Sequence, residues 1–187
     1  GARFAGTVTD AASGAPLSGV LVMLSREGDT STFSAAWTNA AGEYVTPAVI
    51  PGAYYVLTHN TLGYLNGLYG GVPCAGTNCH PYSAGTVLNA SAGEVVSGID
   101  FALALGGRIS GTVTDAATAA GLAGASIRVY DAAGNYTCDV GVDSSGAYTT
   151  AAFADGTYYV ATYNWLGYLD ELYDDLPCPS AVCTVTN

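Results

Sequence analysis

Apolar and polar residues alternate along much of this chain with a period of two. The alternation runs through residues 4–8, 20–24 and 99–105, and it recurs at 109–113 and 125–129. Successive side chains of a β-strand point to opposite faces, so this pattern predicts strands with one buried face. No stretch of about ten residues has a clear 3.6-residue apolar period. With turn residues between the strands, the pattern predicts an all-β protein built as an antiparallel β-sandwich.

The chain contains two copies of one sequence unit. The stretch "GARFAGTVTDAASGAPLSGVLVML" at 1–24 aligns with "GGRISGTVTDAATAAGLAGASIRV" at 106–129. Further on, "PGAYYVLTHNTLGYLNGLY" aligns with "DGTYYVATYNWLGYLDELY", and the turn "NAAGEY" aligns with "DSSGAY". A repeat of this length predicts two tandem domains of one fold. We place them at residues 1–105 and 106–187.

Copy one is followed by a segment that has no counterpart after copy two. The segment "GIDFALAL" alternates Ile99, Phe101, Leu103 and Leu105 with smaller or polar residues. We interpret it as the closing strand of copy one, with these four side chains on its inward face. Their burial would contribute about 1.5 to 3 kcal/mol each. Copy two is therefore predicted to lack its closing strand and to have an open core slot.

Several short motifs resemble a known domain family. These are G-x-V-x-D near the start, "PLSGVLVML", [DN]-x-x-G-x-Y and (P/D)-G-x-Y-Y-V. Together they resemble carboxypeptidase regulatory-like domains, which are seven-stranded sandwiches of the transthyretin (prealbumin) type, and they are similar to B-type repeats of bacterial surface adhesins. The resemblance implies two Ig-like or prealbumin-like sandwiches in tandem, of the kind found in large secreted bacterial proteins. It does not imply one function, because this fold serves many.

Charge and the length of the aliphatic runs argue against nucleic acid as a partner and against insertion into a membrane. The chain has 4 arginines, no lysine and 15 acidic residues among its 187, which gives a net charge of −11. Nucleic-acid binding needs clustered cations, so it is not expected. Membrane insertion is not expected either, because the longest aliphatic run, residues 20–24, is far too short to span a bilayer. Only 10% of residues are charged, which predicts a weakly repelling surface.

Five cysteines indicate an oxidising compartment. Cys74 and Cys79 form a C-x4-C pair, and Cys178 and Cys183 form a second pair at the same place in copy two. Half-sites for zinc are the alternative, but neither copy supplies four ligands within metal-site spacing. We predict two local disulfides and an extracellular or cell-surface location. Cys138 is left over, either as a buried thiol or as a cross-link between copies.

The sequence offers no convincing catalytic site, so the chain is predicted not to be an enzyme. Its two histidines, His59 and His80, align with Tyr163 and Thr184 in copy two. A Ser-His-Asp arrangement therefore lacks a duplicated base. A weak calcium candidate is the acidic loop of copy two, where carboxylates could supply oxygen ligands; these are Asp170, Glu171, Asp174 and Asp175. A solvated loop is the simpler interpretation, and no cofactor is predicted.

Aromatic residues are the best candidates for a contact surface. Five of them lie in the aligned "LGYL" inserts or beside them: Tyr64, Tyr69, Trp165, Tyr168 and Tyr173. Aromatic rings are common at protein interfaces and can also hold sugars. Asn89 and Asn135 begin N-glycosylation sequons, which are weak evidence by themselves.

Two hypotheses for the function follow. The first is an extracellular structural protein whose copies assemble head to tail into a fibre or surface appendage, with a neighbour's strand filling the open slot of copy two. The second is an accessory or spacer module of a secreted hydrolase that binds substrate or carbohydrate. The first predicts copies of itself as partners, and the second predicts glycans.

Overall fold

A computed structural model describes residues 1–29, 32–74, 85–178 and 183 of the chain. The chain divides into two compact units, which are Gly1–Gly106 (unit 1) and Gly107–Asn187 (unit 2). The described residues form strands and turns without any helix, so the predicted all-β class is confirmed. Within this described part, no helix is long and apolar enough to cross a membrane.

Unit 1 contains ten strands among its described residues. They are β1 (Arg3–Asp10), β2 (Leu21–Arg26), β3 (Thr32–Trp37), β4 (Glu43–Val45), β5 (Gly52–His59), β6 (Gly67–Leu68), β7 (Val72–Pro73), β8 (Leu88–Ala90), β9 (Val95–Val96) and β10 (Phe101–Leu103). The family resemblance implies seven. The structure has more because the insert after β5 and the segment before β10 form additional two-residue strands.

The strands of unit 1 form two sheets. In the first, β1 pairs with β4, β9 and β10. In the second, the order is β3-β2-β5-β6-β7, and β8 also pairs with β5. Buried side chains from both sheets, among them Phe4, Val8, Val22 and Tyr54, meet in one hydrophobic cluster. This is the core of a two-layer sandwich.

The closing strand departs from the antiparallel pattern. β10 runs parallel to β1, with Val8 opposite Phe101, and β9 also runs parallel to β1, with Phe4 opposite Val96. The remaining pairs of unit 1, such as β2 with β5, are antiparallel. Residue alternation identifies which side chains face the core but carries no information on strand direction. For this reason the parallel pairing could not be predicted from the pattern.

The predicted Asn-x-x-Gly turn precedes β4. The Asn39 side-chain oxygen accepts hydrogen bonds from the N–H groups of Ala41 and Glu43. Gly42 has a φ of 73°, and a Cβ there would lie 2.5 Å from the carbonyl oxygen of Val8. Both the positive φ and the close approach require glycine. The turn thus fixes β4 against β1.

Unit 2 contains seven strands among its described residues. They are β11 (Ser110–Thr112), β12 (Ser126–Asp131), β13 (Tyr136–Gly141), β14 (Ala147–Thr149), β15 (Tyr158–Tyr163), β16 (Glu171–Leu172) and β17 (Leu176–Pro177). One sheet has the order β13-β12-β15-β16-β17, and the other consists of β11 and β14. In the part of unit 2 that is described, β11 pairs with β14 alone, whereas its counterpart β1 has partners on both edges.

The core of unit 2 is less completely covered than that of unit 1. Ile127, Val129 and Phe153 are buried, but Val113 and Val160 are only partly buried. Their counterparts in unit 1, Val8 and Val56, are fully buried. Among the described residues of unit 2, none forms a strand beside β11 at the place where unit 1 has β10.

Candidate functional site

The closing strand of unit 1 covers the core beside β1. Ile99, Phe101 and Leu103 are buried, and the ring of Phe101 makes an edge contact with Tyr69 at 6.1 Å between centroids. Leu105 was predicted to share this inward face, and that prediction is wrong, because its side chain is 67% exposed. The strand ends at Leu103, and beyond it the chain follows the 60–66 loop instead of the sheet.

Hydrogen bonds seat the start of the closing segment on β1. The carboxylate of Asp100 accepts from the backbone N–H of Thr7 at 2.7 Å and from its hydroxyl at 2.9 Å. The Tyr44 hydroxyl donates to the carbonyl oxygen of Ile99 at 2.7 Å. Burial is the main cause that raises the pKa of Tyr44 well above its usual range, so this hydroxyl stays a donor. A Cβ at Gly6 would collide with the Ile99 carbonyl, so glycine permits the close approach.

The end of the closing segment covers the loop of unit 1 that carries the "LGYL" sequence. The Leu65 N–H donates to the carbonyl of Ala104, and Tyr64 forms an isolated β-bridge with Leu105. Tyr64 and Tyr69, two predicted contact aromatics, are therefore only partly exposed. In unit 1 this loop is already occupied by the protein's own chain.

Unit 2 has an open groove at the corresponding place. A cavity of about 340 Å³ lies between β11 and β16 and is lined by Val113, Tyr148, Val160, Leu172 and Tyr173. A second cavity of about 240 Å³ adjoins it and shares Val113 and Glu171 with the first. We call these two cavities together the β11 groove. Three of their counterparts in unit 1 contact the closing segment: Val8 pairs with Phe101, Tyr44 binds the Ile99 carbonyl and Tyr69 packs against Phe101.

The aromatic and aliphatic side chains around the β11 groove are exposed. Tyr173, the counterpart of Tyr69, is 78% exposed, and Leu169 is 75% exposed. Trp165 is 84% exposed, and its ring makes an edge contact with Tyr163 at 5.2 Å between centroids. The structure thus places Trp165, Tyr168 and Tyr173 at the surface of unit 2, whereas Tyr64 and Tyr69 are partly covered in unit 1.

Similar polar contacts hold the loop at 60–66 in unit 1 and the corresponding loop at 164–170 in unit 2. Asn60 donates through its amide to Asn66, and Asn164 donates to the carboxylate of Asp170 at 2.7 Å. The hydroxyl of Tyr168 donates to the carboxylate of Asp115 at 2.7 Å. This hydrogen bond is the largest cause that lowers the pKa of Asp115 to about 2. The loop of unit 2 is consequently ordered by its own contacts although its apolar side chains are exposed.

The acidic loop does not assemble into a metal site. Among the described residues, no group of three or more His, Cys, Asp and Glu side chains is placed to hold a metal ion. Asp170 instead pairs with Asn164, and Glu171 lies in β16 beside the β11 groove. The calcium interpretation of Asp170, Glu171, Asp174 and Asp175 is therefore not supported by their arrangement.

The cysteines of copy two form a local disulfide. Cys178 and Cys183 are bonded and nearly buried. Cys74 is also disulfide-bonded, and its predicted partner Cys79 lies outside the described residues, as does His80. Cys138 is a buried thiol in the core of unit 2. Its burial favours the interpretation as a core residue over a cross-link between copies.

Three other predicted positions have clear locations. Asn89 is exposed in β8, and Asn135 is exposed in a turn where its amide donates to the carboxylate of Asp131. His59 ends β5, opposite Leu21, and Tyr163 ends β15 at the equivalent position.

The sequence predicted an open core slot in copy two but did not predict the polar groups that line the β11 groove. The roles of Thr7, Tyr44 and Asp100 in seating β10 were not predicted. A signal was present, since Gly6, Thr7 and Tyr44 all recur in copy two, as Gly111, Thr112 and Tyr148. Hydrogen bonds between residues more than fifty positions apart cannot be identified from such a recurrence alone.

Comparison with known proteins finds one family model that matches part of the first unit. Residues 3–74 match the model of the carboxypeptidase regulatory-like domain. A search of curated proteins gives no match.

Solved structures give distant similarities. The shaft pilin SpaA from Lactobacillus rhamnosus GG is 14% identical, with a TM-score of 0.38 over 97% of this chain and 98% of that chain. A streptococcal ancillary pilin is 18% identical, with a TM-score of 0.39 over 84% of this chain and 52% of that chain. The Bacillus anthracis TIE protein is 14% identical, with a TM-score of 0.37 over 94% of this chain and 31% of that chain. This chain thus spans about half of the length of the streptococcal ancillary pilin and about a third of the length of the TIE protein.

Proposed function

We propose that this chain, whose residues 3–74 match the carboxypeptidase regulatory-like domain model, is a non-enzymatic structural protein that assembles head to tail into an extracellular fibre or surface appendage. One observation carries the proposal. Unit 2 exposes an apolar groove beside β11, and the same side of unit 1 is covered by the unit's own strand β10. A sandwich with an open core and an unpaired strand edge gains stability when another strand pairs with that edge.

The surface around the groove supports contact with protein. Trp165, Leu169, Tyr173 and Leu176 are all exposed on unit 2. Large exposed apolar side chains are common at interaction surfaces, and tyrosine and tryptophan are enriched there. With only 10% charged residues, few charges oppose close packing of copies.

The disulfides support a location outside the cytosol. The bond between Cys178 and Cys183 closes a short ring, and Cys74 is bonded as well. Disulfides that persist are typical of secreted and cell-surface proteins, because cytosolic thiols are kept reduced. A surface fibre would form in that environment.

A contact that uses different surfaces on its two sides does not close on itself. If unit 2 of one copy binds a part of the next copy other than its own unit 2, the contact is heterologous and repeats along a line. Head-to-tail growth into a filament is the expected result. A ring would form only if the rotation between neighbours happened to close.

The second candidate function is an accessory module that binds carbohydrate. The observation that favours it is the exposure of Trp165 and Tyr173, since aromatic faces can stack on sugar rings. This function predicts saturable glycan binding by the monomer. The assembly function predicts contact between protein chains instead.

Electron microscopy and sedimentation velocity of the purified protein test the proposal. We expect filaments, or concentration-dependent oligomers, that are lost in Leu169→Asp. Leu169 is 75% exposed, so this change leaves the core intact. The matched control is Leu62→Asp, which changes an exposed leucine on the corresponding loop of unit 1 and should leave assembly unchanged. A stable monomer that binds polysaccharide in a pull-down would replace the fibre with the accessory module.

A further inference from the structure

The β11 groove has the chemistry of a receptor for one particular kind of strand. In unit 1, the segment that fills the equivalent space presents an apolar residue, an aspartate, a phenylalanine and a leucine in the order Ile99, Asp100, Phe101 and Leu103. Each of these makes a defined contact with unit 1.

The polar groups that hold the aspartate and the first carbonyl are present in unit 2. Thr112 lines the β11 groove at the position of Thr7, whose N–H and hydroxyl both bind Asp100. Tyr148 also lines the groove at the position of Tyr44, whose hydroxyl binds the Ile99 carbonyl. No hydrogen bond from either of the two side chains of unit 2 to another described residue is present. Donors that are satisfied in unit 1 thus face an open groove in unit 2.

A glycine in β11 matches the glycine that admits the closing segment in unit 1. Gly6 lies within β1, and the carbonyl of Ile99 approaches its Cα so closely that no Cβ could fit there. Gly111 occupies the same position in β11, where a Cβ would meet the Tyr148 hydroxyl at 2.9 Å. The ring of Tyr148 therefore lies over Gly111, where unit 1 has the backbone of Ile99 over Gly6. An incoming backbone would take this space when the Tyr148 ring moves aside.

The two cavities of the groove correspond to the two buried side chains of the closing strand. Phe101 packs against Tyr69, and the counterpart Tyr173 lines the larger cavity. Leu103 lies near Gly67 and belongs to the same cluster as Leu17 and Val20. The counterparts of Gly67 and Leu17, which are Glu171 and Leu122, line the smaller cavity. A phenylalanine and a leucine two positions apart would fill both.

We infer that unit 2 is a strand-acceptor site for an extended segment of another polypeptide chain, with the pattern apolar-Asp-Phe-x-Leu, bound parallel to β11. In the register of unit 1, its phenylalanine lies opposite Val113 and its leucine opposite Asp115. The inference rests on the proposed function, because the acceptor site is the contact through which the chain would assemble. It adds the sequence, direction and register of the bound strand.

One residue of the β11 groove differs in size and charge from its counterpart beside β10 in unit 1. Glu171 stands where unit 1 has Gly67, and its side chain borders both cavities. Glu171 is exposed, and its side chain adds bulk and charge beside the position of the strand's leucine, where glycine leaves space in unit 1. Removal of this side chain should tighten binding.

Binding of a synthetic peptide with the sequence SGIDFALALG, residues 97–106, to the intact 187-residue protein tests the site. We expect saturable binding of one peptide per chain, measured by fluorescence anisotropy of the labelled peptide. Replacement of the peptide's aspartate or phenylalanine by alanine should weaken binding at least tenfold. Glu171→Ala should strengthen binding severalfold. Equal binding of a scrambled peptide, or no saturable binding, would overturn the inference.

A matched pair of protein variants locates the bound peptide. Tyr148→Phe removes the donor in unit 2 and should weaken binding severalfold. Tyr44→Phe makes the same change in unit 1, where the chain's own strand fills the site, and should leave peptide binding unchanged. The opposite result would place the peptide on unit 1 by exchange with β10 and would contradict the acceptor site in unit 2.

A cross-link tests direction and register. In unit 1, Thr9 is opposite Ala102, so Thr114→Cys should form a disulfide with a peptide that has cysteine at the position of Ala102. A peptide with cysteine at the position of Ser97 should not react. Preference for the second peptide would contradict the parallel register.

The outcomes for the site and for the proposed function are separable. If the peptide binds but the protein stays monomeric under all conditions, the acceptor site stands and the fibre is wrong. If filaments form while the peptide fails to bind or to cap them, the fibre stands and the acceptor site is wrong.

Discussion

The hydroxyl of Tyr168 donates a hydrogen bond to the carboxylate of Asp115 at 2.7 Å, fifty-three residues away along the chain. Unit 1 contains the same contact between Tyr64 and Asp10 at 2.8 Å. In unit 1 the bond joins the loop after β5 to Asp10 at the end of β1, and in unit 2 it joins the loop after β15 to Asp115, which follows β11. In unit 1 this bond lies at one end of the surface that β10 covers. In unit 2 it lies at the corresponding end of the β11 groove.

The first prediction concerns the pKa values of the two aspartates. The Tyr168 hydroxyl is the largest cause of the lowered pKa of Asp115, whereas a backbone N–H of Ser13 is the largest cause for Asp10, followed by Tyr64. Tyr168→Phe should therefore raise the pKa of Asp115 from about 2 toward its ordinary value of 3.8. Tyr64→Phe should raise the pKa of Asp10 by less. An NMR titration of the carboxyl carbons measures both, and a larger change at Asp10 would contradict the assignment.

The second prediction concerns acid stability. Asp10 and Asp115 both have folded-state pKa values of about 2, below the ordinary value of 3.8. A group with a lowered pKa stabilises the fold above its unfolded-state pKa, and this contribution is lost as the pH falls through the folded value. The melting temperature should hence be constant above about pH 5 and fall between about pH 4 and pH 2.

The variant Tyr168→Phe should lose part of this acid dependence, because the folded-state pKa of its Asp115 would lie closer to the unfolded-state pKa. Tyr173→Phe is the control, since Tyr173 is 78% exposed and does not contact Asp115 in the structure. Thermal unfolding followed by circular dichroism from pH 2 to pH 7 gives the comparison. A wild-type melting temperature that is flat down to pH 2 would contradict the prediction.

The third prediction concerns the disulfides. Mass spectrometry of a non-reduced digest should show Cys178 linked to Cys183 and Cys74 linked to Cys79. Removal of the Cys178–Cys183 bond by a double substitution to serine should destabilise unit 2 by about 2 kcal/mol, because a short ring restricts the unfolded chain modestly. Any link that includes Cys138 would contradict its burial as a core thiol.

The fourth prediction concerns calcium. Asp170 is already paired with Asn164, and the described residues contain no cluster of metal ligands. Addition of calcium after chelation should leave the melting temperature unchanged, since a ligand that binds only the folded state would raise it. A rise of several degrees that disappears in Asp174→Asn would show that the loop rearranges into a site.

The sequence was informative where side-chain alternation decides the outcome. Phe4, Val8, Val22 and Leu24 alternate in the sequence and are buried in the structure. The repeat also predicted the turns at Gly42 and Gly146, because glycine at a positive φ has a local cause. These features depend on neighbours a few residues apart, and such dependence can be recognised in a single sequence.

The sequence was less informative where the outcome depends on distant contacts. The parallel direction of β10 follows from the path that the chain takes after β8, which no local pattern encodes. Leu105 continues the alternation yet lies outside the sheet, since the chain there pairs with Tyr64 on the loop. The seating of Asp100 on Thr7 joins residues 93 positions apart. The fold class could be predicted, but the chemistry of the groove needed the structure.

The last prediction separates the closing strand from the residues that follow it. Phe101 is buried against Tyr69 and the unit 1 core, so Phe101→Ala should destabilise unit 1 by about 3 to 5 kcal/mol. Leu105 has the same place in the sequence alternation but is 67% exposed, so Leu105→Ala should change the free energy of unfolding by less than about 0.5 kcal/mol. Urea unfolding of the two variants, monitored in unit 1, gives both values. If the losses were equal, Leu105 would have to be buried, and the closing strand would extend further along β1 than the structure places it.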